Sequence, residues 1–377
     1  MAGVLVHEWL SRIGGSERVF DAMVEAFPEA DILTLWNDDP EHRYSGRHVQ
    51  ESWLARTPLR RSKALALPFM APTWRNRRGA YDWALVSSHA FAHHVSFRSA
   101  SEDFRKYVYV HTPARYIWNP ELDARGQGIL PRVAAPSLRS LDRRRAQEAT
   151  HIAANSSYVQ SRIARAWGRD STVIHPPVEV DRIQAKKCWA DELGGPEAAL
   201  LGALPRPFVL GASRLIPYKR LDLVIAAGDA ADLPVVIAGS GPEQAILEER
   251  AASARVPVVF IQQPSDALLY ALYESALVYV FPAVEDFGIM PVEAMAAGAP
   301  VLVGAVGGTR ETVIDGVTGA SIESWQPNDM VTAIESCERM SADACRDRAR
   351  AFTAGRFREE LSKWIALGEA EVSGRGR

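Results

Sequence analysis

"LVYVFPAVEDFGIMPVEAMAAGAPVLVG", residues 277–304, contains a strand, a loop, a helix and a second strand. "LVYVFP" (277–282) is an unbroken run of β-branched, aromatic and aliphatic residues, as a strand buried on both faces requires. "IMPVEAMAA" (289–297) reads as a helix stopped at Gly298 with Pro300 beyond, and "PVLVG" (300–304) is again strand-like. A strand, a helix and another apolar strand form a crossover unit, so the sheet is parallel. The loop between them leaves the carboxyl end of a strand, where open parallel sheets bind their ligands. That loop carries Glu285 and ends on Gly288, which lets backbone approach a ligand closely. Pro291 and Glu293 are expected in the first helical turn, where Pro is tolerated and an acidic residue faces the positive helix end. Free N–H groups of that turn, flanked by two carboxylates, suit a vicinal diol with phosphates attached, as in a nucleotide sugar. The plainer alternative is that Glu293 is an ordinary first-turn residue.

Working outward, the same alternation fills the chain. Strand-like segments recur at 4–9, 31–36, 82–88, 107–112, 151–156 and 172–177, mostly separated by helical patterns. After a polar stretch bearing Gly and Pro (181–207) the pattern restarts at 208–213, 233–239, 256–262, 277–282 and 300–304. The reading is an α/β chain of two Rossmann-like domains: residues 1–180 as the first, 181–354 as the second, joined near 178–205. Two such domains facing each other would share one cleft. The last segment, "CRDRARAFTAGRFREELSKWIAL" (345–367), has helical composition, with Phe352, Phe357, Leu361 and Trp364 near helical spacing.

Composition limits the function classes. The 377 residues are 47% hydrophobic and 24% charged, which excludes disordered and fibrous architectures and suits two domains. Three cysteines, Cys188, Cys337 and Cys345, form no CxxC, so buried thiols in a reducing compartment are expected. "MAGVLVHEWL" reads as a first strand and not as a leader, and no apolar run approaches the roughly 20 residues of a spanning helix. A cytoplasmic location follows as an expectation. A net charge of −3 argues against bulk nucleic-acid binding. Its distribution is uneven: residues 1–150 carry 21 Lys and Arg against 17 Asp and Glu, the remainder 22 against 29. The excess lies in "RTPLRR" (56–61), "RNRR" (75–78) and "RSLDRRR" (139–145), either a solvated surface or a contact for anionic lipid or a phosphorylated acceptor.

Two further stretches belong with the double-glutamate loop. "GASRLIPYKRLDLVI" (211–225) places Arg214 and Lys219 between a strand and a helix, at the same strand ends, where two cations can grip a diphosphate. "SRIGGSERVF" (11–20) places Gly14 and Gly15 at a helix start in the first domain, a tight turn or a source of backbone N–H groups for phosphate.

These blocks, with "EDFGIMPVEAMAAGAPV" and "GGTRETVIDGVTG", resemble the signature segments of glycosyltransferase family 4, retaining enzymes of the GT-B fold. "YVHTPARYIW" (109–118), "IAANSSYVQSRI" (152–163) and "VIHPPVEVDRI" (174–183) resemble a bacterial subgroup that transfers mannose or a related sugar in O-antigen and exopolysaccharide assembly. The resemblance implies two Rossmann-like domains facing across a cleft, with a C-terminal helix (about 355–377) crossing back to the first. Glu285 would hold donor-sugar hydroxyls, helped by the backbone amides of Phe287, Gly288 and Ile289. Glu293 would bind the ribose diol, Arg214 and Lys219 the diphosphate, and Gly14 and Gly15 would offer N–H groups. His111 would face the donor sugar near its reacting carbon, the alternative being a packed histidine at a strand end. Arg115 and Tyr116 would shape acceptor or sugar. The implied partners are a nucleotide-diphosphate sugar and a glycan or lipid-linked glycan, with possible peripheral association with anionic membrane; no nucleic acid and no cofactor beyond the co-substrate.

Departures from the pattern matter too. "FIQQPSD" (260–266) stands where the family usually has a "FLG" step, so Gln262 and Gln263 are candidates for reading guanine or uracil, and the subgroup resemblance implies guanine, hence mannose from GDP-mannose. No metal is expected, since "NDDP" (37–40) reads as a turn, and His89, His93 and His94 have no nearby carboxylate or cysteine in sequence and read as a helix surface at the cleft. The alternative enzymes are a UDP-sugar-dependent transferase acting on a soluble small-molecule acceptor and a nucleotide-sugar epimerase of the same fold, though the epimerase lacks the Phe-Gly double-glutamate block. A dinucleotide oxidoreductase is disfavoured because no GxGxxG follows either first strand.

Overall fold

A computed structural model of the chain describes residues 2–12, 14–39, 44, 46–118 and 129–375. Ile13 of "SRIGGSERVF", Pro40 of "NDDP" and the last two residues of the helix expected at 355–377 lie outside them. The chain divides into two compact units, residues 1–177 with 355–377, and Val178–Ala354.

The first unit is built on β1 (Gly3–His7), β2 (Asp31–Thr34), β3 (Val49–Glu51), β4 (Trp83–Ser88), β5 (Arg105–Val110), β6 (His151–Ala154) and β7 (Thr172–Val173), all parallel, in the order β3-β2-β1-β4-β5-β6-β7. Successive side chains go to opposite faces, and both faces are buried. Val4, Leu33, Val86 and Val108 join one core; Leu5, Ile32, Leu85 and Tyr107 join the other.

The second unit repeats the plan with β8 (Val209–Ala212), β9 (Val235–Ala238), β10 (Val258–Ile261), β11 (Val278–Phe281), β12 (Val301–Gly304) and β13 (Gly319–Ile322), in the order β10-β9-β8-β11-β12-β13. Here Leu210, Val236, Tyr279 and Val301 face one core while Val209, Val235, Val278 and Leu302 face the other. Cys337 and Cys345 are buried free thiols, and burial pushes the first up to about 12 and the second to about 11.

The C-terminal segment departs from one continuous helix. A helix over Ala342–Ala349 and a 3₁₀ turn over Arg350–Phe352 end at Thr353, which is extended and bridges to Val178. A new helix then runs Ala354–Arg375. The break divides the aromatic stripe. Phe352 packs against Phe287 in the second unit, whereas Phe357, Leu361 and Trp364 pack with Tyr107 and Tyr109 in the first. Phe357 and Leu361 are fully buried, worth about 1.5–3 kcal/mol each in burial alone.

Candidate active site

In the second unit the winding of the sheet reverses between β8 and β11, so the loops leaving these neighbouring strands border the crevice where such a sheet binds ligands. The loop after β8 is held by the next one: Leu215 N–H donates to the Ser240 carbonyl at 2.9 Å, and Gly239 and Gly241 lie against the carbonyls of Ser213 and Leu215. A β-carbon would come within 1.9 Å of the first and 2.4 Å of the second. This close backbone packing requires glycine at both positions.

That loop ends in a 3₁₀ turn, Pro217–Lys219, and Arg220, in the left-handed region (φ 52°), starts the helix Leu221–Ala231. Lys219 is buried. Its Nζ donates to Glu285 Oε1 at 2.6 Å and lies 5.0 Å from the centre of the Phe281 ring. Arg214, from the same loop, remains exposed, its Nη2 donating to the Tyr218 hydroxyl at 3.4 Å.

Glu285 is positioned from behind by residues that sequence reasoning quoted but did not assign. Gly308 N–H, in the turn after β12, donates to the Glu285 carbonyl at 2.8 Å. A β-carbon on Gly308 would lie 2.0 Å from the Asp286 carbonyl oxygen, and Gly307 has φ +112°. Gly288 has φ +106°, and a β-carbon there would fall 2.6 Å from the methyl of buried Thr309. The "GGT" spelling was the visible signal; which loop it touches was not.

Glu293 requires a correction. The helix begins at Ile289 directly after Gly288, so Glu293 is its fifth residue and lies beyond the first turn. It is buried, and its charge adds to burial in raising the hydroxyl pKa values of Tyr273 and Tyr279. The Tyr279 hydroxyl donates to the Ala212 carbonyl at the end of β8 at 2.8 Å. Glu293 is therefore a buried carboxylate within the helix. Phe287 is core, so only its backbone is available; Ile289 is half-buried against the same core. Gln262 and Gln263 are exposed at the carboxyl end of β10, an edge strand two places from β8, with Gln263 left-handed (φ 46°).

The first sheet has the same reversal between β1 and β4. Glu8, fully buried after β1, accepts through one oxygen from the N–H groups of His89, Ala90 and Ala92 at 2.8–3.0 Å. It ties down the loop after β4. His111, after β5, shares a hydrogen bond with Ser87 Oγ at 2.8 Å, and Ser87 another with His7 Nδ1 at 3.0 Å. Burial, with the neighbouring His89, pushes the His111 pKa down to about 3, so its ring is neutral at physiological pH. Sequence reading found His111 but missed Ser87 and His7, which hold it, and Glu8, which holds the loop beside it.

Gly14 precedes the helix Gly15–Ala26, and a β-carbon on it would lie 2.0 Å from a carboxylate oxygen of buried Glu17, which accepts from Ser11 and, at 2.8 Å, from Ser16. The amino end of this helix already faces an acid of its own. Tyr116, expected with Arg115 to shape acceptor or sugar, is buried in the core edge-on to Phe91; Arg115 starts a short helix, Arg115–Trp118, and is half-buried.

His93 and His94 are also a correction. They lie in a buried 3₁₀ turn, not on a helix surface, and a carboxylate does reach them: Asp142 Oδ1 is 3.0 Å from the Nε2 of each. Asp142 Oδ2 accepts from the indoles of Trp118 and Trp167 at 2.7 Å. Among the described residues, this trio and His7–Glu8–His89 bring metal-type ligand atoms within 4.8 Å of one another. In both, the acid already holds protein donors, consistent with structural hubs. Burial and His93 push the His94 pKa down to about 4.

Comparison with known proteins matches both halves. The Glycosyltransferase Family 4 pattern covers residues 13–182 and that of Glycosyl transferases group 1 covers residues 200–353. A GDP-mannose-dependent alpha-(1-6)-phosphatidylinositol monomannoside mannosyltransferase of Mycolicibacterium smegmatis is 32% identical over 220 residues, 53% of this chain and 56% of that protein. A D-inositol 3-phosphate glycosyltransferase of a Mycobacterium species (strain JLS) is 30% identical over 217 residues, 53% of this chain and 48% of its own. The chain spans about half the length of the curated relatives it matches. The crystal structure of Anabaena HepE in complex with UDP has a TM-score of 0.71 over 97% of this chain and 100% of its own at 17% identity, which makes the shared fold GT-B.

Proposed function

The chain belongs to glycosyltransferase family 4, and from that premise we propose that it moves a hexose, mannose from GDP-mannose, to a hydroxyl of a glycan or lipid-linked glycan with retention of anomeric configuration. The observation that carries the reading is the 2.6 Å contact of Lys219 with Glu285 at the β8–β11 reversal, with Arg214 on the same loop. Lys219 and Arg214 would take the diphosphate and the charge that grows as the donor bond breaks. Glu285, with the backbone amides of Phe287, Gly288 and Ile289, would hold sugar hydroxyls; Glu293 would accept from the ribose diol. Gly15 would offer an N–H group to the phosphates, and Gln262 and Gln263 would read the base.

Transfer of this kind needs no protein nucleophile: the departing phosphate draws the proton from the acceptor hydroxyl while the protein positions both. A neutral His111 fits, since an imidazolium beside an oxocarbenium-like centre would oppose its charge, whereas a neutral ring held by Ser87 can still hydrogen-bond the sugar. The M. smegmatis relative is named for GDP-mannose, which favours guanine; HepE was solved with UDP, which supports a UDP-sugar donor as the second reading. No described helix is long and apolar enough to cross a membrane, and the basic first unit favours an acceptor presented at an anionic inner membrane face.

Separate incubations with GDP-mannose, UDP-glucose and UDP-N-acetylglucosamine, followed by nucleoside diphosphate release, test this. GDP release alone, with a larger thermal shift from GDP than from UDP, is the expected result. Release from none of the three removes the proposal.

A further inference from the structure

The positive charge of the first unit is concentrated. Residues 51–100 hold eight Lys and Arg against two Asp and Glu, and five of those arginines line one pocket of about 950 Å³ beside β3, the strand at the free edge of the sheet. They are Arg56, Arg75, Arg77, Arg78 and Arg98; Glu51 is the single acid in the lining.

The fold holds these cations together. Arg77 N–H donates to the Ser96 carbonyl at 2.8 Å and Arg98 N–H to the Arg77 carbonyl at 3.0 Å, so the two arginine-bearing segments run side by side. Asn76 turns the chain in the left-handed region (φ 53°) and its N–H donates to Ser96 Oγ at 3.0 Å. Across the pocket, the Trp53 indole donates to Thr73 Oγ1 at 3.0 Å.

Little protein charge answers them. Arg75 is satisfied by Glu148 at 2.7 Å and the His94 carbonyl at 2.9 Å, and one Glu51 oxygen accepts from the Asn37 N–H at 2.5 Å. Among the described residues, Arg56, Arg78 and Arg98 form no ion pair, and the Arg77 side chain reaches only the Glu51 carbonyl, at 3.5 Å. Arg77 is also half-buried, and burial lowers its pKa. Arg56, Arg78 and Arg98 are exposed to solvent, and like charges gathered around one concave site repel one another unless an anion joins them.

We propose that this pocket is an anion site for a phosphate or diphosphate group, carried either by a lipid headgroup or by a soluble phosphorylated molecule. Guanidinium forks match phosphate oxygens two at a time, and the pocket has room for more than one phosphate. Trp53, half-exposed on the wall, contacts exposed Phe69 edge-on, and Leu65 is exposed on the same helix, Lys63–Thr73. Aromatic and aliphatic side chains beside a basic pocket suit a headgroup in a bilayer. The site lies beyond β2 from the β1–β4 reversal and does not rest on the transferase reading.

The test is pyrophosphate binding to the full chain by calorimetry, in an Arg214→Gln/Lys219→Met background that removes the other candidate phosphate grip. Binding is expected to persist there and to weaken roughly tenfold or more when Arg77→Gln/Arg78→Gln is added. Arg98→Gln, on a separate segment, should weaken it in the same direction, and melting curves check that each variant folds. No binding in the background, or binding indifferent to all three arginines, overturns the proposal. Sedimentation with phosphatidylglycerol against phosphatidylcholine vesicles identifies the source. Retention on phosphatidylglycerol that falls with Arg77→Gln/Arg78→Gln and with Trp53→Ala, while Trp53→Ala leaves pyrophosphate binding intact, supports a lipid headgroup; arginine-dependent pyrophosphate binding without retention supports a soluble ligand. Retention that ignores the arginines counts against the site.

Discussion

Replacing Gly308 by alanine tests whether the turn after β12 positions Glu285. The new β-carbon would lie 2.0 Å from the Asp286 carbonyl oxygen and 2.5 Å from its carbonyl carbon, whereas real β-carbons essentially never approach a neighbour within 3.0 Å. The clashing atoms are backbone and cannot rotate away, so the loop carrying Glu285 must move by about 1 Å. Misplacement of a reacting group by about 1 Å costs on the order of a hundredfold in rate, or about 2.7 kcal/mol in the barrier. Steady-state release of nucleoside diphosphate at saturating donor should therefore show kcat down about a hundredfold. Gly316→Ala is the control: it has φ +75° but nothing within 4 Å of the added carbon, so it should cost about 1 kcal/mol of stability and leave kcat alone. Full kcat in Gly308→Ala, or a fall in melting temperature with no change in kcat, would refute the reasoning.

Lys219→Met and Arg214→Gln should each lower kcat by about a hundredfold or more if both cations meet charge that grows during transfer; unchanged turnover in either removes that residue from the grip. Glu293→Ala should act on affinity, raising the donor KM by the equivalent of about 1.5–3 kcal/mol with a smaller loss of kcat, and the opposite split would sink the ribose assignment. Stability should fall on acidification from pH 6.5 towards 4, because the unfolded chain then binds a proton that His94, lowered to about 4, refuses; this one group accounts for about 3 kcal/mol by pH 4. Urea denaturation midpoints across that window check it, and a flat profile would show that His94 is not held neutral in the folded protein.

The sheets were readable because parallel strands covered on both faces are spelled as apolar runs, and all the interior strands announced themselves in that way. The two strands that escaped, β3 and β13, are edge strands with weak spelling: "VQE" is polar and half-exposed, and "GASI" has small residues where a central strand carries branched ones. The C-terminal stripe misled for a different reason. Phe357, Leu361 and Trp364 share one helical face, whereas Phe352, five positions earlier, lies well off it; helical composition does not record that the chain changes partners at Thr353, where the extended backbone joins Val178. His93 and His94 were misjudged because Asp142, the residue that explains their burial, is 49 and 48 positions away.

At the candidate site, residue types were legible and contacts were not. Lys219 and Glu285 were both visible as charges on loops, yet their direct bond spans 66 positions and depends on β8 and β11 being neighbours. That bond has a physical consequence for the proposed chemistry. A lysine side chain free in solvent loses up to about 1.5–2 kcal/mol of rotamer entropy when a ligand fixes it. Lys219 is already fixed, with its ammonium on Glu285 and 5.0 Å from the centre of the Phe281 ring, so a diphosphate arriving there meets an ordered cation. Glu285 also prevents Lys219 from being a buried charge without a partner, so the pair keeps the loop in shape before any donor binds. Residues that grip the donor would thus also be those that hold its site open, and substitutions at either should disturb more than one property at once.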